Sequence, residues 1–172
     1  MRWVLDTNVV ASGLLWSGAP SQLLDAAQRG EVDLFSSRAL VAELAGILGR
    51  AKFARAVGAT GLEVSGLVQG YLELVTLVHP EQVPAVIQAD PADDHVLACA
   101  VKALADAIVS GDRHLHGLGG TYEGIAIVRP AQAVQNWRRS ARRANPVAWV
   151  RSGRGRRFLT RRSGAPRQAT SD

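Results

Sequence analysis

At 172 residues and 47% hydrophobic content the chain is sized for one domain with a sizeable core, and with only 5% aromatics that core must be built from Val, Leu, Ile and Ala. A single cysteine, Cys99, excludes an intramolecular disulfide and a Cys-rich zinc site, and no apolar run approaches the ~20 residues a membrane-spanning helix requires. The net charge of +5 conceals two opposed segments: residues 138–172 carry eleven arginines and one acid, a net +10, whereas residues 1–137 carry nine basic and fourteen acidic residues, a net −5.

The chain opens on Trp3-Val4-Leu5, short and β-branched enough for a central strand, and ends that run in Asp6-Thr7-Asn8. A start without a signal-peptide pattern, together with the lone thiol, leads us to expect a cytoplasmic protein with no membrane partner. Residues Val9 to Leu15 begin a helix with Asn8 as a plausible cap, and Gly13 and Gly18 loosen the chain. Pro20 suits the start of the next helix, whose apolar stripe is Leu23, Leu24 and Ala27 and whose stop is Gly30. Val32 to Phe35 reads as a second strand, and Ser36 and Ser37 can cap a helix with Leu40, Val41, Leu44, Ile47 and Leu48 at helical spacing. Glu43 lies in its second turn.

A short helix over 51–59 precedes Thr60-x-x-Glu63, which has capping-box spacing. A helical stripe through Leu67, Val68, Tyr71 and Leu72 leads to a third strand, Val75 to Val78. Asp90 then caps a helix that opens on Pro91, with Asp93 as its reciprocal acid, and runs to Leu104. Ala107 to Val109 is the fourth strand, closed by Ser110-Gly111-Asp112. Ile125 to Val128 is the fifth, and a last helix runs from Pro130 through Trp137. Alternating strands and helices predict an α/β, three-layer fold: a mostly parallel sheet with helices on both faces. The division expected is a domain over 1–137 and an Arg-rich flexible tail over 138–172.

Asp6 and Asp112 follow apolar strands, and Asp94 and Glu43 lie early in helices. In a parallel sheet strands end and helices begin at one edge, so all four acids can reach one crevice. Carboxylates gathered there repel one another unless a cation neutralises them. An oxygen-only donor set selects Mg²⁺ or Mn²⁺ over zinc, and such a site activates water against phosphodiesters.

The order Asp6-Thr7-Asn8, Glu43, Asp94-x-x-Leu97-Ala98-x-Ala100 and Ser110-Gly111-Asp112-x-x-Leu115 resembles a PIN-domain nuclease, nearest to the toxin branch that includes VapC-type toxins of toxin–antitoxin pairs. Asp90-Pro91-x-Asp93-Asp94 is similar to the D-P-D-D spelling of that branch. The resemblance implies a five-stranded sheet of order 3-2-1-4-5. It also implies an Mg²⁺- or Mn²⁺-dependent endoribonuclease of a type II toxin–antitoxin system. Asp6, Asp94 and Asp112 would be the metal ligands, Glu43 the fourth acid, and Asn8 and Ser110 the residues that orient the carboxylates. A cognate antitoxin and a homodimer are the implied partners. Two departures stand out. His114 replaces an acid that many members carry two residues after the Asp112 position, and the Arg-rich tail exceeds the family pattern.

Plainer readings apply to the remaining residues. Asp93 reads as a cap, His114 and His116 as loop residues, Cys99 as a small core residue, and Trp3 and Trp137 as packing. Arg138, Arg139, Arg142 and Arg143 could hold RNA phosphates, with Trp149 and Phe158 stacking on bases. That gives an alternative function: a catalytically degenerate PIN-fold module that binds RNA through the basic tail without cutting it.

Overall fold

The computed structural model describes residues 1–87 and 91–144. Asp90, Trp149, Phe158 and the tail after Ala144 lie outside the described residues, so the readings given to them stand as expectations.

Strand β1 (Arg2–Leu5) lies at the centre of a six-stranded sheet. It is flanked by β2 (Asp33–Ser37) and β3 (Val75–Val78) on one side, and by β4 (Ala107–Val109), β6 (Ile125–Val128) and β5 (Thr121–Tyr122) on the other. The order is β3-β2-β1-β4-β6-β5. Every pairing is parallel except that of β5 with β6. The five parallel strands follow the expected order. The sixth was not expected because a two-residue strand is too short to show a period-two pattern.

The pleat sends alternate residues of each strand to opposite faces. Trp3, Leu5, Leu34, Val109 and Val128 face one layer, which holds α1 (Thr7–Leu15), α2 (Ala19–Gln28), most of α3 (Arg38–Leu48), α5 (Val64–Leu74) and α8 (Pro130–Ala144). A 3₁₀ turn (Ala51–Phe53) and α4 (Ala54–Ala59) lead from α3 toward α5. Val4, Phe35, Ile108 and Ile127 face the other layer, where α6 (Pro91–Lys102) buries Val96, Leu97, Cys99 and Ala100, and α7 (Arg113–His116) buries Leu115.

Several local expectations change. Asp6, not Asn8, caps α1: its side chain accepts from the Asn8 amide. Gly13 sits inside α1 rather than in a loosened loop. A Cβ there would lie 2.9 Å from Leu24 and 3.0 Å from the Pro20 backbone, so glycine is what lets α1 and α2 approach. Ser37 caps α3 as expected. Thr60 closes α4, donating to the Val57 carbonyl and accepting from the Leu62 amide, instead of opening a capping box for α5. Helix α6 ends at Lys102, two residues short of the expected Leu104. Helix α8 continues past Trp137 to Ala144, because Arg and Ala are strong helix formers and nothing before Asn145-Pro146 interrupts them.

Candidate metal centre

The register of the two central strands places the first site residues side by side. Leu5 pairs with Val109, so Asp6 and Ser110, each one residue on, emerge next to one another, and the Asp6 amide donates to the Val109 carbonyl at 3.0 Å. This is where the chain order of the sheet reverses direction, the position at which open α/β sheets form a crevice beyond their strand ends.

Asp6 is only 3% exposed. One carboxylate oxygen, Oδ1, accepts from the Asn8 amide at 3.1 Å and the Thr7 hydroxyl at 3.4 Å. The other, Oδ2, accepts from the Ser110 hydroxyl at 2.5 Å. Burial pushes the Asp6 carboxyl above its ordinary pKa. Bonds from Ser110 and Asn8 pull it back, and the charge of Asp112 pushes it further up. The Ser110 oxygen in turn accepts from the Asp112 amide at 2.9 Å. A single hydroxyl therefore links the strand-end acid to the turn that carries the second acid.

Asp112 caps α7, accepting from the His114 amide at 2.6 Å. It closes the Ser110-Gly111-Asp112 turn that follows β4. His116 Nε2 donates to the Ser110 carbonyl at 2.8 Å and fixes the same turn from behind. Asp6 and Asp112, with Asn8, Val9, Ser12, Pro20, Gly111 and Pro130, line a crevice of about 360 Å³.

The two acids of α6 have different neighbours. Asp94 turns one oxygen to the loop before α6, where Oδ1 accepts from the amides of Val86 at 3.2 Å and Ile87 at 3.0 Å. Its buried carboxylate thus anchors that loop. Asp93, expected at the start of the helix, lies 3.7 Å from His114 Nδ1, which is itself 3.3 Å from Asp112 Oδ1. Asp93, Asp112 and His114 each offer a ligand atom within 4.8 Å of the others. His114, expected to be a plain loop residue, belongs to this group. One helical step of about 100° separates the side chains of Asp93 and Asp94, and no spacing in the sequence tells which of the two turns inward. Glu43 is half-buried on α3, a helix packed against α1. Of the acids and the imidazole considered, Asp6 and Asp112 line the crevice; among the described residues Glu43, Asp93, Asp94 and His114 do not.

The donor set suits a divalent cation. It is rich in carboxylate oxygen, and the charge of Asp112 acts with burial to disfavour the ionised form of Asp6. The one imidazole, that of His114, is compatible with Mn²⁺ as well.

A family model described as a PIN domain matches residues 2–114, well over half of the chain. Comparisons with curated proteins and with solved structures gave no match.

Proposed function

This chain belongs to the PIN-domain family, and on that premise we propose that it is a metal-dependent endoribonuclease, the toxin of a type II toxin–antitoxin pair. PIN domains are typically metal-dependent nucleases. The observation that carries the reading is the convergence of Asp6 and Asp112, linked by Ser110, on one crevice at the reversal point of the sheet. The narrower claims of RNA as substrate and of a toxin role rest on the resemblance of the motifs to the toxin branch.

Asp6 and Asp112 would hold the ion, with Asp93 and His114 beside them. Asp94 supports them by fixing the loop before α6, and Glu43 completes the acidic group through water. When bound, Mg²⁺ or Mn²⁺ would neutralise the carboxylates, polarise a phosphoryl oxygen and supply an acidified water as nucleophile. The chain's own residues supply orientation. The Ser110 hydroxyl locks Asp6 in one rotamer, and its second bond sets the turn that presents Asp112. Asn8 is among the residues lining the crevice, and its amide group would donate to a phosphate oxygen. Val9, Pro20 and Pro130 form walls that restrict water and position a strand of nucleic acid. The partner that fits a toxin is a small antitoxin with a segment covering this crevice, and the same reading includes a homodimer.

The test is hydrolysis of labelled RNA with Mg²⁺ or Mn²⁺, with and without EDTA, by the wild type and by Asp6→Asn. Cleavage that needs the ion and disappears in the variant is expected. Persistent cleavage by a folded Asp6→Asn protein would overturn the assignment. RNA binding that survives chelation, with no cleavage under either ion, would favour the non-cutting alternative.

A further inference from the structure

We propose that α8 is the substrate track of this nuclease: the arginines of its last two turns hold backbone phosphates of single-stranded RNA that extends out of the acidic crevice. Pro130, the first residue of α8, lines the crevice with Asp6 and Asp112. Rising about 1.5 Å per residue, the helix carries Arg138 roughly 12 Å and Arg143 roughly 20 Å from that start. Ala133 and Val134 are buried and Trp137 half-buried in the layer that contains α2, so one face of α8 is anchored. Arg138 donates to Gln22 Oε1 at 2.8 Å, which ties the later turns of α8 to α2.

Arg138 and Arg142 form one stripe at i, i+4, and Arg139 and Arg143 form the neighbouring stripe; all four are exposed. From Gly124 to Ser171 the sequence contains no acid, so no carboxylate on α8 offsets them. Residues 1–137 carry a net −5 and would repel a polyanion. A row of cations two turns along the helix that starts at the crevice wall offsets that repulsion along one direction. A charge run on a helix is usually a solvated face. Here its placement on a helix that starts at the crevice wall, and that is held by its apolar face and by Gln22, gives it a direction and a ligand class.

The inference rests on the ribonuclease reading for the identity of the ligand, and its test needs no cleavage. Fluorescence anisotropy of an unstructured labelled RNA is measured with the full chain carrying Asp6→Asn, in EDTA, over a salt series. Arg139→Gln/Arg142→Gln/Arg143→Gln removes three charges from α8, with little change in helix propensity. Arg50→Gln/Lys52→Gln/Arg55→Gln removes three exposed charges from the turn before α4 and from α4 itself.

The α8 variant is expected to bind on the order of tenfold more weakly at low salt, and the slope of log affinity against log salt should fall by about 2. The α4-side variant should keep the slope of the parent. Unchanged affinity and slope in the α8 variant, with its helical circular dichroism intact, would overturn the proposal. An equal loss in the α4-side variant would do the same, because net charge rather than a track would then explain binding. Absence of metal-dependent cleavage in the wild type would remove the nuclease reading while leaving this binding result intact.

Discussion

Asp6 performs two tasks with two oxygens. Oδ1 caps α1 and Oδ2 takes the Ser110 proton donor, so the acid is fixed from the strand, the helix and the neighbouring strand together. Its raised pKa means that the ionised, metal-free site is held at a cost. Asp6→Asn removes that charge and keeps a capping side chain. It should abolish cleavage while its melting temperature in metal-free buffer at neutral pH is no lower than that of the wild type, as read by scanning fluorimetry. Ser110→Ala leaves both acids present but unlinked, and should reduce metal affinity or cleavage by about 10–100-fold with the fold intact.

The two α6 acids should separate in the same assays. Asp93→Asn is expected to lower cleavage with little change in melting temperature. Asp94→Asn leaves two loop amides with a poorer acceptor and should cost about 1–3 kcal/mol of stability. A result with those two effects exchanged would return Asp94 to the metal and Asp93 to a helix-starting role.

At the scale of elements, Gly13 and Cys99 mark where packing overrides local preference. Ala is the better helix former by about 1 kcal/mol. At Gly13, however, a Cβ would meet Leu24 and the Pro20 backbone at 2.9–3.0 Å, and overpacking typically costs 1–3 kcal/mol. Gly13→Ala should therefore destabilise in urea unfolding, and it should also disturb the Pro20 wall of the crevice.

Cys99, buried in α6 against the sheet, has its thiol pushed up from 9.0 to about 12 by desolvation. Between those values the unfolded chain ionises while the folded chain keeps a neutral thiol, so ionisation favours unfolding. The contribution of this thiol to stability should be flat below about pH 9 and should fall above it by up to ~1.4 kcal/mol per pH unit. Cys99→Ala should weaken that alkaline loss. Alkylation of native protein at pH 8 should be slow until denaturant is added. Helix periodicity identified α1 to α3, α5 and α6. It missed β5, whose Thr121-Tyr122 is too brief for a pattern, and it ended α8 early because a cluster of arginines reads as tail until its apolar face is seen on the layer below.

At the scale of the whole molecule, the opposed charges of 1–137 and 138–172 are a property of the sequence alone. Their meaning depends on where α8 begins, which the fold decides by setting Pro130 on the crevice wall. The class of fold was legible because alternation of strand and helix, and apolar runs ending in acids, are local signals that a parallel sheet requires. The family match over 2–114 agrees with that reading. That Asp6, Ser110 and Asp112 lie together follows from the same signals, because a strand end fixes position along the sheet edge.

Other assignments depended on rotation and distance. Which of Asp93 and Asp94 turns toward Asp112, that His114 stands between two carboxylates, and that Glu43 keeps off the crevice wall are facts about side-chain direction and about elements far apart in sequence. The sequence by itself determined the composition of the site and the edge on which it stands. Only the packing of α6 and α7 against the sheet, which sets the angle of each helix, decided which acids meet.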